Sequence, residues 1–188
     1  GTWMAGVLLL ATAQVLAYAA LFTRAVGRFR AWGVPGPLRA LAFALFCLLP
    51  SFPVWADCVV KDSTFGLFFF PWFMQLANAV RTRGTSLANG RTLAGMLALA
   101  LLMCLTKKTG VYVVAVTAVA GSWAFRRQWR VLRAFAVQGV SCVLMMAVLL
   151  PCVVFPLANI APGGRQEALG TLFQQTARFA QAHELSDE

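Results

Sequence analysis

Six apolar runs, at residues 3–22, 38–56, 63–80, 92–106, 110–125 and 134–156, follow one another with only short polar breaks between them. A helix needs about 20 apolar residues, each rising ~1.5 Å, to cross a hydrocarbon core of ~30 Å, and most of the runs approach that length. Apolar residues make up 60% of the 188, against ~45–50% in ordinary soluble domains. Mean hydropathy is +0.74. The expected fold is all-α: a polytopic transmembrane helix bundle of about six spans, with an extracytoplasmic amphipathic helix at the C-terminal end.

The breaks sort by charge. Arg24, Arg28, Arg30 and Arg39, then Arg81, Arg83 and Arg91, then Arg126, Arg127, Arg130 and Arg133 all fall in alternate loops. The remaining loops and the tail hold all six acids, Asp57, Asp62, Glu167, Glu184, Asp187 and Glu188, together with Lys61, Lys107, Lys108, Arg165 and Arg178. By the positive-inside rule the arginine loops are cytoplasmic, so the N-terminus of this chain and its tail are expected on the extracytoplasmic side. The net charge of +10 thus belongs to inner helix ends, and no nucleic-acid partner is expected. Of the five cysteines, Cys47, Cys104, Cys142 and Cys152 lie within apolar runs and Cys58 at an outer boundary. They read as packing residues and offer no disulfide framework. The first run lacks the basic start and cleavage site of a signal peptide and reads as a retained helix.

Breakers punctuate the runs. Gly33, Pro35, Gly36 and Pro37 allow a tight return into the second run. Pro50, Pro53 and Pro71 interrupt the second and third, and Gln75 and Asn78 follow Pro71. Two readings stand: a kinked structural helix, or the broken-helix midplane site of a transporter. The fourth run would rise only about 22 Å, so the Lys107-Lys108-Thr109-Gly110 turn is expected at or below the outer interface. Either the two lysines snorkel into headgroups or they meet an anion such as a lipid phosphate.

Residues 1–160 are expected to form the helix bundle and 161–188 the outer amphipathic helix, leading into a region beyond this chain. In that tail Leu169, Leu172, Phe173, Thr176, Phe179 and Ala180 recur at helical spacing, opposite Glu167, Gln174, Arg178 and Gln181. Such a helix rests on lipid or docks on protein.

The chemistry-bearing residues gather outside. Asp57, Lys61 and Asp62 lie together between the second and third runs. Asp62 and Ser63 are placed to cap the third helix, whereas Asp57 has no such local role and is the preferred general base from its position alone. Residues five apart on a helix point about 140° apart, so the two aspartates share a cation only if the loop folds back. No metal site and no cofactor is expected, although a weak magnesium or manganese site stays open. No catalytic triad, G-x-S-x-G turn, P-loop or dinucleotide fingerprint occurs. Carboxylates, paired lysines and Arg165 suit a lipid-linked phosphate.

Three stretches, residues 60–65 (VKDSTF), 105–113 (LTKKTGVYV) and 167–179 (EALGTLFQQTARF), together resemble an uncharacterised family of polytopic bacterial membrane proteins, a domain of unknown function. Its layout is similar to that of the GT-C glycosyltransferases. The resemblance spans about residues 40–188, and the tail stretch is its most specific part. Where the family more often carries Arg-Asn-Asn-Gly, this chain has Lys107-Lys108-Thr109-Gly110, which keeps a cation and the glycine and loses the amides. The resemblance implies a bacterial cytoplasmic membrane protein that takes a sugar from a polyprenyl-phosphate donor at the outer face. It places Asp62, with Lys61, at the catalytic acidic position and Lys107 or Lys108 at the donor phosphate. It thereby competes with the positional preference for Asp57. The other classes are a transporter or lipid flippase working through Gln75 and Asn78, and a noncatalytic scaffold whose tail helix docks a partner.

Overall fold

The computed structural model describes residues 2–159 together with 174–176, 178, 179 and 181, and among these the regular structure is helical throughout. In chain order the elements are α1 (Thr2–Ala31), α2 (Gly36–Leu48), α3 (Ser51–Asp57), α4 (Lys61–Arg81), a 3₁₀ turn (Thr85–Ala88), α5 (Gly90–Thr106), α6 (Thr109–Ala124), α7 (Trp129–Leu144), a π-helical stretch (Met145–Val154) and α8 (Phe155–Leu157). Residues to Ala147 form one compact unit and those from Val148 a second.

Each apolar run lies in helix, but the runs do not all become membrane-length rods. Among the described residues two helices are long and apolar enough to cross a membrane, Trp3–Ala31 and Trp129–Leu157, and a third span results if the bent pair Gly36–Leu48 and Ser51–Asp57 is counted as one. The limits are physical. Pro50 has no N–H for the preceding turn, and α2 and α3 meet there at 52°. Helices α5 and α6, with 17 and 16 residues, rise only about 24–26 Å. By contrast α4 continues through Pro71 without a break.

Helix α1 overruns its apolar stretch by two turns, because nothing breaks it before Gly33, whose φ of 78° reverses the chain. The arginines expected in an inner loop therefore ride on the end of the helix. The cap expected from Asp62 and Ser63 does not form: α4 begins at Lys61, with Val60 at its cap position and no side-chain cap. The Val60 carbonyl accepts from the N–H groups of Ser63 and Thr64, so Asp62 stands in the first turn, favourable to the helix dipole but free of the capping bond.

Trp72, Met96, Met103, Val114, Phe135 and Cys142 are the main fully buried side chains, and they join α4 to α5, α6 and α7. Outside this core apolar groups face outward: Trp3, Leu8, Leu9 and Leu16 on α1, and Tyr112, Val116, Val119 and Trp123 on α6. Such a surface is stable against lipid rather than water. All five cysteines are free, and Cys104 and Cys142 are buried, on α5 and α7. In the tail, the described residues are helical, and Phe179 is exposed. Leu169, Leu172, Phe173 and Ala180 lie outside the described residues, as do Arg165, Glu167 and His183.

The two ends of α4, about 30 Å apart over its 21 residues, carry different neighbours. At its C-terminal end Arg81 donates to the Trp32 carbonyl, and the Trp32 indole N–H donates to Asn78 Oδ1 at 3.2 Å. Next to them Gly84 packs against Val131 and Gln128 at the start of α7. At its N-terminal end lies the carboxylate and lysine cluster.

Candidate functional site

Lys107 Nζ lies 2.6 Å from Asp62 Oδ1, with the two side chains 34% and 41% exposed. The contact joins residues from two loops that the charge pattern had assigned to one side. Asp62 reaches it from the first turn of α4, and Lys107 from the turn that ends α5. That turn is tight: the N–H of Gly110 bonds to the Lys107 carbonyl at 2.9 Å and that of Val111 to the Lys108 carbonyl at 3.1 Å. Gly110 is required by crowding, since a Cβ there would stand 2.8 Å from the Met103 carbonyl oxygen and 3.1 Å from the Cys104 Cα. Lys108 is exposed beside the pair.

Two polar side chains of α1 hold the other half of the site. Gln14, one of the few buried polar residues, donates through Nε2 to the carbonyls of Ala56 at 3.0 Å and Cys58 at 2.8 Å. One turn further on, the Tyr18 hydroxyl donates to the Ser63 carbonyl at 2.6 Å. Together they fix the segment between α3 and α4 that carries Asp57 and Asp62. Sequence reasoning missed both, although a Gln and a Tyr at i and i+4 within an apolar run mark one polar strip on one helix face. Replacing Gln14 by leucine leaves two carbonyls without this donor and is expected to destabilise the fold by ~1–3 kcal/mol. Thermal unfolding in detergent would measure it.

A groove of about 290 Å³ runs beside the site, lined chiefly by Tyr18, Phe22, Phe52, Trp55, Phe69 and Phe70. Gly66 lets Tyr18 pack directly on α4, because a Cβ there would collide with the Tyr18 hydroxyl. Since Asp62 and Gly66 are four residues apart on α4, the groove opens one turn below the carboxylate.

The expected site residues divide accordingly. Asp62 and Lys107 are brought together, and Lys108 and Lys61 are exposed near the same helix ends. Asp57 closes α3 as an exposed residue, with no ion pair or hydrogen bond among the described residues. Arg165 lies outside them. No group of three or more His, Cys, Asp or Glu residues able to hold a metal is found among the described residues. Of the polar pair after Pro71, Asn78 is engaged by Trp32, while Gln75 Oε1 is buried without a partner.

A family of unknown function, DUF6020, matches residues 1–186. The chain belongs to DUF6020. Membership agrees with the resemblance to an uncharacterised family, and it covers the apolar helices as well as the tail. No curated protein and no solved structure matches this DUF6020 chain.

Proposed function

We propose that this DUF6020 chain is the membrane part of a GT-C-like glycosyltransferase, taking a sugar from a polyprenyl-phosphate donor at the extracytoplasmic face of a bacterial membrane. In this reading α4 and the shorter helices α5 and α6 also span, giving about six crossings. The observation that carries it is the half-exposed Asp62–Lys107 pair, at the end of α4 remote from Arg81. The aromatic groove one turn below adds support, as an apolar slot for the first part of the donor's prenyl chain.

The chemistry follows from the groups present. The acceptor hydroxyl attacks the anomeric carbon while the bond from that carbon to the phosphate oxygen breaks, and the electron pair leaves with the phosphate. Asp62 takes the hydroxyl proton, with Asp57 as the competing base. Lys107 and Lys108 stabilise the charge that develops on the departing phosphate, the type of electrostatic help that often contributes most to a rate. For Lys107 this means exchanging its carboxylate partner for the phosphate.

Transfer from polyprenyl-phosphate sugars should therefore fall in the Asp57→Asn, Asp62→Asn and Lys107→Ala/Lys108→Ala proteins, most strongly at the true base. Turnover unchanged in all three would remove the assignment. The transporter reading retains one supporting observation, the unpartnered Gln75 Oε1. Its signature is movement of a solute or lipid without a covalent product.

A further inference from the structure

Arg126, Arg127, Arg130 and Arg133 crowd the turn from α6 into α7, and all four are exposed. Two recesses meet there. One, of about 350 Å³, is lined by residues 123–128, with the guanidinium carbon of Arg126 6.0 Å from the centre of the Trp123 ring. The other, of about 450 Å³, is lined along α6 by Ala115, Val116, Val119, Ala120 and Trp123. Trp123 belongs to both and is 73% exposed, so a basic recess continues into an apolar one across a single indole. The turn is closed by the Gln128 N–H on the Phe125 carbonyl at 2.8 Å and held by Phe125 stacked on Phe135.

Neighbouring contacts fix the level of this turn. Gly84 packs on Val131 and Gln128, and Arg81 reaches the Trp32 carbonyl, so the ends of α1 and α4 and the start of α7 share one end of the helices. Trp129–Leu157 is long and apolar enough to cross a membrane, and no charged residue follows Arg133 before Arg165. In such a crossing the hydrocarbon begins beyond Arg133. The Arg126-Arg127 turn then stands among headgroups, with the exposed Trp123 and Trp129 at the boundary that tryptophans favour.

A ligand that fills both recesses has an anionic head and an apolar tail. The planar fork of arginine suits a phosphate, and four cations beside a crossing helix favour an acidic lipid. We propose that the α6–α7 turn binds one anionic phospholipid, its phosphate on Arg126 and Arg127 and an acyl chain along the Ala115, Val119 and Trp123 face of α6. A zwitterionic lipid brings its own cation to the same arginines and competes poorly. The inference rests on Trp129–Leu157 crossing the membrane and is independent of the glycosyltransferase reading.

Native mass spectrometry of the full chain, released from detergent with phosphatidylglycerol and phosphatidylcholine at equal concentration, tests it. Wild type should retain phosphatidylglycerol preferentially. Arg126→Gln/Arg127→Gln should lose that preference by roughly thirty-fold, whereas Arg28→Gln/Arg30→Gln on α1, with the same loss of charge, should keep it. Arg126→Lys/Arg127→Lys, which preserves the charge if the glutamine protein folds poorly, should keep most of it too. Ala120 is exposed, so Ala120→Trp fills the apolar recess without entering the core and should weaken retention of phosphatidylglycerol. Absence of the preference in wild type, or equal loss in the Arg28/Arg30 protein, overturns the site. Unchanged retention in the Ala120→Trp protein, or displacement of the lipid by excess inorganic phosphate, overturns its assignment to a lipid.

Discussion

With Asp62 as the base of the proposed transferase, Asp62→Asn is expected to lower sugar transfer by ~10²–10⁴-fold, the usual worth of a positioned general base, while leaving the protein folded. The two effects separate because of exposure. The Lys107 and Asp62 side chains are 34% and 41% exposed, and although the pairing oxygen Asp62 Oδ1 is itself buried, a pair on side chains this accessible contributes about 1 kcal/mol to stability. A purely structural role therefore predicts a small change in melting temperature and a correspondingly small change in turnover. Exchanging the partners, as Asp62→Lys/Lys107→Asp, sharpens the contrast. It restores an ion pair but moves the carboxylate to the α5–α6 turn, so transfer should stay low. Recovery of wild-type transfer in the exchanged protein would show that only the pairing matters.

Gly110→Ala is expected to destabilise the protein by ~1–3 kcal/mol, the range for forcing extra volume into a packed site. The obstruction is backbone, not a side chain that can rotate away: the added methyl would meet the Met103 carbonyl oxygen at 2.8 Å and its carbon at 3.0 Å. Relief requires α5 and α6 to part at the turn that carries Lys107. Stability by thermal unfolding in detergent and proximity of a cysteine pair placed at Asp62 and Lys107 should therefore decline together. A Gly110→Ala protein with unaltered melting and unaltered crosslinking would contradict the close approach. Gly90, which has open space around its Cβ position, provides a control, since Gly90→Ala at the start of α5 meets nothing.

Much of this arrangement was legible in the residues, and the failures have identifiable causes. Helical character followed from long apolar runs, and the two ends of α4 were foreseen by sorting arginine from carboxylate and lysine. Such sorting assigns a loop to an end but not to a partner. Asp62 and Lys107 are 45 positions apart, and only packing of α4 against α5 brings them into contact. The cap expected at Asp62 and Ser63 failed because the helix starts at Lys61, a shift of two residues that frees the carboxylate for Lys107. Boundaries of this kind depend on which carbonyl takes the first N–H, here that of Val60. Gln14 and Tyr18 escaped notice because each alone is a tolerable guest in an apolar helix. Their importance lies in what they reach, the carbonyls at Ala56, Cys58 and Ser63. Length was the least transferable quantity: six runs were counted as crossings, the fourth already short, yet among the described residues two helices, or three with the bent pair, meet the requirements of one.

The junction at Pro50 has a mechanical consequence. Helix α3 begins at a 52° bend, where a missing N–H weakens the link to α2, and it finishes where Gln14 fastens it to α1. The direction of the chain therefore changes at Pro50, and the carboxylate-bearing segment takes its position from Gln14 of α1 and from the edge-to-face packing of Phe46 and Phe52 across the joint rather than from an unbroken helix.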